Sequence, residues 1–347
     1  MKKLIILFVT VCIIAVPANA MDFTAPNAPE SALEYLPSEI DNFGDGLRFV
    51  IISAISTLNP DIDEAVGVCA TLIGISLLVG LLGEIAGSMK PVIELTGSAV
   101  VAITLFRPIK SLIRMGGQTV TQVSQYGKLL LPIMTGAMAA EGGVTKSGSL
   151  YAITAFFDAF ISEGIASILT PIINLYLCIC VTVNLFPETT LKNVKNLIKW
   201  LISWFLKIIL YLFTGFISIT GVVGGATDAT LLKATKLTIS GMVPVVGNIL
   251  SDASEAVLVS AGIMKNAAGI YGLLTLIALL IGPFIRIGAQ YILLKITTGL
   301  SEMFGSKSMA GLVKDYASTM GFLLAMTGSV CLILLISIIC FMKGVQT

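Results

Sequence analysis

The stretch STMGFLLAMTGSVCLILLISIICFM, Ser318 to Met342, carries no charged residue from end to end. About twenty consecutive apolar residues cross the hydrocarbon core of a bilayer as an α-helix, because there each backbone N–H and C=O must be satisfied within the segment itself. Comparable runs lie at Ala65 to Met89, Gly164 to Phe186, Leu201 to Gly225 and Gly269 to Ile285. Together they set the fold class: an all-α, polytopic integral membrane helical bundle. Weaker stretches at Pro91 to Phe106, Leu129 to Ala140, Leu150 to Ile161, Leu237 to Gly262 and Ile287 to Leu300 are shortened by proline, glycine or a charge. Each reads as a short span, a re-entrant segment or a packed helix, and the crossing of 91–106, 150–161, 237–262 and 287–300 stays open. The expectation is about six spans plus short interrupted or re-entrant helices.

Composition agrees. The chain is 56% apolar and 12% charged, where soluble domains carry about 25% charge. Mean hydropathy is +0.97. A net charge of +1 without a clustered basic face argues against a nucleic-acid partner. There is no histidine, which removes the commonest general base, the HExxH metal signature and Ser/His or Cys/His nucleophile pairs. Cys69, Cys178, Cys180, Cys331 and Cys340 sit in apolar runs and read as buried, inert thiols rather than a disulfide framework. No catalytic, cofactor or metal site is expected, and a soluble enzyme is excluded.

At the start of the chain, Lys2 and Lys3, the apolar run Leu4 to Val16 and then Pro17-Ala18-Asn19-Ala20 have the form of a secretory signal. Residues 1–20 are expected to be a cleavable signal peptide, cut after Ala20. Residues 21–64 carry nine acids against the single base Arg48 and are expected to form an acidic extracytoplasmic segment. Within it, Leu47 to Leu58 is too short to cross and suits an interfacial or packed helix. Residues 65–347 form the polytopic transmembrane domain.

Short basic loops are retained in the cytoplasm. Three groups would therefore face inward: Arg107, Lys110, Arg114 and Lys128; Lys192, Lys195 and Lys199; and Arg286, Lys295, Lys307 and Lys314. With the N-terminal segment outside, the spans at 65–89, 164–186 and 269–285 enter, and those at 201–225 and 318–342 leave. One further crossing near Leu129 to Ala140 satisfies the parity.

The run from Gly241 through Pro244 and Gly247 to Asp252 is apolar but interrupted. Proline removes a backbone donor, so a helix at membrane depth breaks there unless neighbours or a water-lined cavity satisfy it. Such broken helices mark transport sites in some folds, and a kinked helix at a subunit interface is the equally weighted alternative. Leu131-Pro132 sits in a similar run, a weak hint of an inverted repeat. Intramembrane charge is costly. Glu84, Lys207 and Arg286 are read as helix-end residues, whereas Asp158 and Glu163 lie within a long apolar stretch and are candidate intramembrane polar residues, lining a path or meeting another subunit. Glycines such as Gly74, Gly80 and Gly83 offer close-packing surfaces.

From Gly224 to Gly272 the chain resembles the stage III sporulation protein AE family of endospore-forming bacteria. The residues carrying the likeness are Thr227-Asp228, Thr235-Lys236, Val243-Pro244-Val245-Val246-Gly247, Ser251-Asp252-Ala253 and Lys265-Asn266-Ala267-Ala268-Gly269. Pro244, Gly247, Asp252, Lys265 and Asn266 thus become the candidate broken-helix and assembly segment. The resemblance implies a multi-pass protein of the mother-cell membrane, part of the transenvelope complex joining mother cell and forespore. Its implied partners are the other stage III sporulation A membrane proteins, including an ATPase and ring-forming subunits. The function expected is a non-enzymatic channel or secretion-complex subunit. A self-contained secondary transporter for a small solute is the alternative, and an intramembrane enzyme, lacking an apposed catalytic pair, is third.

Overall fold

A computed structural model describes residues 25–37, 43–140, 144–186, 188–220, 267–304 and 307–344. Among these residues the regular structure is helical throughout, with no strand. Helix α1 spans Glu30–Leu33, α2 Phe43–Ile85, α3 Lys90–Ala140, α4 Val144–Gly164, α5 Thr170–Leu185, α6 Thr189–Thr220, α7 Ala267–Phe304 and α8 Lys307–Gly344. Five stretches within them are long and apolar enough to cross a membrane. The candidate signal and its cleavage point after Ala20, and the segment holding Pro244, Gly247, Asp252, Lys265 and Asn266, lie outside the described residues.

The ends of the helices follow local chemistry. Helix α2 stops where Gly87 takes a left-handed φ of 52°, a conformation that costs glycine nothing, and Ala86 N–H still closes on Leu82 O at 2.9 Å. A single 3₁₀ turn, Gly87–Met89, leads into α3, whose second residue Pro91 needs no intrahelical donor. At the end of α5, Phe186 leaves the helix at φ −126°, ψ 87°, as the residue before a proline tends to do.

The helices are longer than the apolar runs implied. Leu47 to Leu58 is no separate interfacial helix, because it continues through Pro60 into Ala65 and onward as one 43-residue α2. Pro91 to Phe106 and Leu129 to Ala140 are two parts of the 51-residue α3, with Pro108 and Pro132 inside it. Leu150 to Ile161 runs through a π turn, Ile165–Leu169, into α5, and Ile287 to Leu300 is the second half of α7. Charges inside these segments lower hydropathy but leave the i→i−4 hydrogen bonds intact. At 1.5 Å per residue, α3 extends about 76 Å, well beyond a hydrocarbon core of about 30 Å.

Two hairpins form the frame, α2 with α3 and α7 with α8, and they run in the same direction. Ser76 and Ser301 hydroxyls meet at 3.0 Å, Arg286 pairs with Asp61 at 2.9 Å, and a Cβ at Gly46 would lie 2.6 Å from Leu274. Residue numbers therefore rise together along α2 and α7. The same holds for α3 and α8, where Tyr316 donates to Ala102 O at 3.4 Å and a Cβ at Gly127 would lie 2.6 Å from Leu334. Gly127 and Gly46 are thus among the glycines that permit close approach, as is Gly97, where a Cβ would lie 2.5 Å from Val79, whereas a Cβ at Gly74 would meet nothing within 4 Å.

The continuous helix α4–α5 runs antiparallel to both α3 and α8, joined by Ser124 to Asp158 on one side and Ser308 Oγ to Asn184 O, 2.6 Å, on the other. Helix α6 turns back against it, with Gly164 close to Phe205. The C-terminal ends of α2, α5 and α7 consequently share one end of the bundle. Helix α8 lies at the centre, and its Tyr316, Met320, Leu323 and Phe341 are inaccessible. The run that looked most at home in lipid is the one most enclosed by protein, since a helix apolar all round suits either medium.

Candidate functional site

Polar side chains collect inside this apolar frame at three places. The first surrounds Asp315 on α8. Its Oδ2 accepts from Lys195 Nζ of α6 at 2.8 Å and from Asn184 Nδ2 of α5 at 3.1 Å, and its Oδ1 accepts from Tyr176 at 3.5 Å. Asp315 is buried and Lys195 nearly so. The arrangement ties three helices at one carboxylate and leaves the charge neutralised where it is dehydrated. Asn184 is held in turn by its own bond to Cys180 O at 2.7 Å.

The second place is Asp158 on α4, which is 2% exposed. Its Oδ2 accepts from Ser124 of α3 at 3.1 Å, while Oδ1 has no protein partner. Thr154 and Ser162, four residues to either side and so on the same helix face, are buried with hydroxyls that also lack partners. A carboxylate and two hydroxyls thus share one helix face; Lys128 acts on Asp158 through space, but no basic residue among the described ones forms an ion pair with it. Glu163 does not join this group. Five residues past Asp158 it has rotated about 140° around the helix, is exposed, and accepts from Ser167 at 2.5 Å. The two acids singled out by sequence serve different surroundings.

The third place is the ion pair of Asp61 and Arg286, both half-exposed. Tyr35 packs beside it against Gly282, and burial first, then the Glu34 carboxylate, pushes its phenol above the usual range. This pair corrects two readings. Arg286 lies in the middle of α7 rather than at a helix end, and it shares its height with Asp61, so it belongs to no cytoplasmic loop opposite the acidic segment. Arg107, Lys110, Arg114 and Lys128 likewise lie on α3, spread over about 31 Å of helix at 1.5 Å per residue, and not in a loop. Of the three basic groups, Lys192, Lys195 and Lys199 stay close to the end where the 186–188 turn lies.

Asp315 was missed by sequence reading. It stands directly before Tyr316 at the head of the long apolar run and passes for the charged boundary of a span. Cys178 is exposed, which corrects the expectation that all the thiols are buried; Cys69, Cys180, Cys331 and Cys340 are buried. Among the described residues no three His, Cys, Asp or Glu side chains come together as a metal site.

Fold and polar clusters define a multi-pass α-helical membrane protein with internal charge in structural contacts. The stage III sporulation protein AE family profile matches residues 40–344, and the chain belongs to that family. Among its relatives, "Stage III sporulation protein AE" of Bacillus subtilis (strain 168) is 23% identical over 176 residues. That alignment covers 51% of this chain and 44% of the relative, so it spans less than half of the relative's length. No solved structure matches.

Proposed function

We propose that the chain is a non-enzymatic subunit of the transenvelope channel or secretion complex that links mother cell and forespore, resident in the mother-cell membrane. The observation that carries this reading is the family match over residues 40–344. Its partners are the other stage III sporulation A proteins, including an ATPase and ring-forming subunits, which supply the energy and the conduit.

The surface supports assembly. Exposed apolar side chains lie along α2 in two groups, Phe49 to Ile55 and Val66 through Leu78 and Leu81 to Ile85, separated by the exposed Asn59, Asp63 and Glu64. The second group extends over about 29 Å at 1.5 Å per residue, close to a hydrocarbon core of about 30 Å, and the first lies beyond the charges as a separate apolar patch available for protein contact. The loop-bearing end with Lys90, Lys192 and Lys307 is the cytoplasmic one by the charge rule, which leaves the segment before α2 outside. Lys192→Cys, in a background with Cys178→Ser, then resists membrane-impermeant thiol reagents in intact cells, and strong labelling inverts the assignment.

The Met242 to Leu250 segment, with Pro244 and Gly247 and followed by Asp252, Lys265 and Asn266, is the proposed flexible element for assembly or passage. A fully functional Pro244→Leu variant removes that role. Asp158 favours a second reading, since a buried, incompletely satisfied carboxylate is a feature of ion-coupled solute transporters. Deletion separates the two. The complex subunit predicts normal vegetative growth and spores that fail once engulfment has begun; normal sporulation with failure to grow on one solute supports the transporter.

A further inference from the structure

A groove of about 580 Å³ opens on the side of the bundle between α3 and the α4–α5 helix. One wall is a stripe of α3 at helical spacing, Lys110, Arg114, Gln118 and Thr121, all exposed toward it. Thr170 and Asn174 of α5 form the other wall. The helices close beneath it at Gly117, where a Cβ would lie 3.6 Å from Thr170.

Among the described residues no carboxylate lines this groove, and none lies within ion-pair distance of Lys110 or Arg114. Lys110 lies over the face of Phe106, at 5.9 Å. Two like charges four residues apart on a helix repel, so a counter-charge here stabilises both.

The wall on α5 begins where the helix is irregular. Ala166, within the π turn Ile165–Leu169, contributes to the lining, and Thr170 Oγ1 donates to Ile165 O at 3.1 Å. Single π turns recur at binding sites because they displace one helix face relative to its neighbours. The Lys110 ammonium and the Arg114 guanidinium stand one helical turn apart, with the Gln118 carboxamide one turn further, whereas the Thr121 hydroxyl already donates to Gly117 O at 3.2 Å. The two cations match a phosphate oxyanion rather than a cation or an apolar group.

We propose that this groove binds a phosphate-bearing ligand, its oxyanion held by Lys110 and Arg114. An anionic phospholipid headgroup is one source of that phosphate, and a soluble phosphate anion is the other. The inference is independent of the complex-subunit reading, because it concerns only the residues of the groove.

Thermal unfolding of the full-length protein in neutral detergent tests it, with dioctanoyl phosphatidylglycerol, dioctanoyl phosphatidylcholine and inorganic phosphate as probes. The glycerol lipid raises the midpoint saturably, and the zwitterionic choline lipid does not. A rise with inorganic phosphate alone also upholds the oxyanion site and assigns it to a soluble anion. In Lys110→Gln/Arg114→Gln the apparent affinity falls roughly tenfold or more, at about 1 kcal/mol per lost cation. Its unliganded midpoint is unchanged or higher, since the repulsion is gone. Gln118→Glu, which keeps both cations but places a carboxylate one helical turn from Arg114, gives the same loss and decides the matter if the double variant fails to fold. Equal response to both lipids with none to phosphate, or an undiminished response in Gln118→Glu, overturns the proposal.

Discussion

Lys195 on α6 and Asp315 on α8 are joined at 2.8 Å, and the same carboxylate also receives Asn184 and Tyr176 of α5. One buried acid therefore fixes the relative position of three helices near the 186–188 turn. Its value is in specificity as much as stability, because a dehydrated ion pair gains little over an apolar packing yet is costly to break.

Removing one partner exposes that asymmetry. Asp315→Asn keeps a side chain able to accept from Tyr176 but leaves the Lys195 ammonium dehydrated and unpaired, at a cost of roughly 2–4 kcal/mol. Lys195→Met in addition should recover most of the loss. Chemical or thermal unfolding of the wild type and the two variants in detergent checks this. If Asp315→Asn alone unfolds like the wild type, the node does not hold the helices.

The parallel course of α2 and α7 is checked by covalent trapping. Ser76 and Ser301 hydroxyls are 3.0 Å apart although the residues are distant in sequence. In a background without native cysteines, Ser76→Cys/Ser301→Cys should form an intramolecular disulfide under mild oxidation, identified by mass spectrometry of proteolytic fragments. Pairing of Ser76→Cys with a cysteine at Gly272 instead would mean that α7 runs the other way.

How the sequence announced these features depends on what each residue does to hydropathy. The all-helical membrane fold was legible because Ser318 to Met342 and its fellows leave no other way to satisfy the backbone in lipid. Asp158 and Glu163 stood out together as charges in a long apolar stretch, yet the structure buries only Asp158 and leaves Glu163 exposed, a difference set by the helix face each occupies. Helix lengths were not, because Asp61, Arg107 and Arg286 interrupt hydropathy without interrupting hydrogen bonding. Asp315 escaped because its partner Lys195 lies on another helix, and pairing across the bundle leaves no local pattern. The two hairpins running in one direction were equally hidden, since Ser76 and Ser301 show no periodicity that links them.

Asp158 separates a structural role from a functional one. Asp158→Asn keeps an acceptor for Ser124 and removes a buried charge, so the protein should be as stable as the wild type or more so by about 1 kcal/mol or above. If sporulation nevertheless fails in this stable variant, the carboxylate acts in function; if stability falls by several kcal/mol, its ionised form is part of the fold.

The central claim, that this chain works as one subunit of a sporulation membrane assembly, is met most directly by purification. An affinity-tagged copy expressed at its native level is solubilised from sporulating cells in mild detergent, and its companions are identified by mass spectrometry. The account predicts co-purification of other stage III sporulation A proteins, the ATPase among them, at defined stoichiometry. Recovery of the chain alone from a strain whose spores form normally would contradict it.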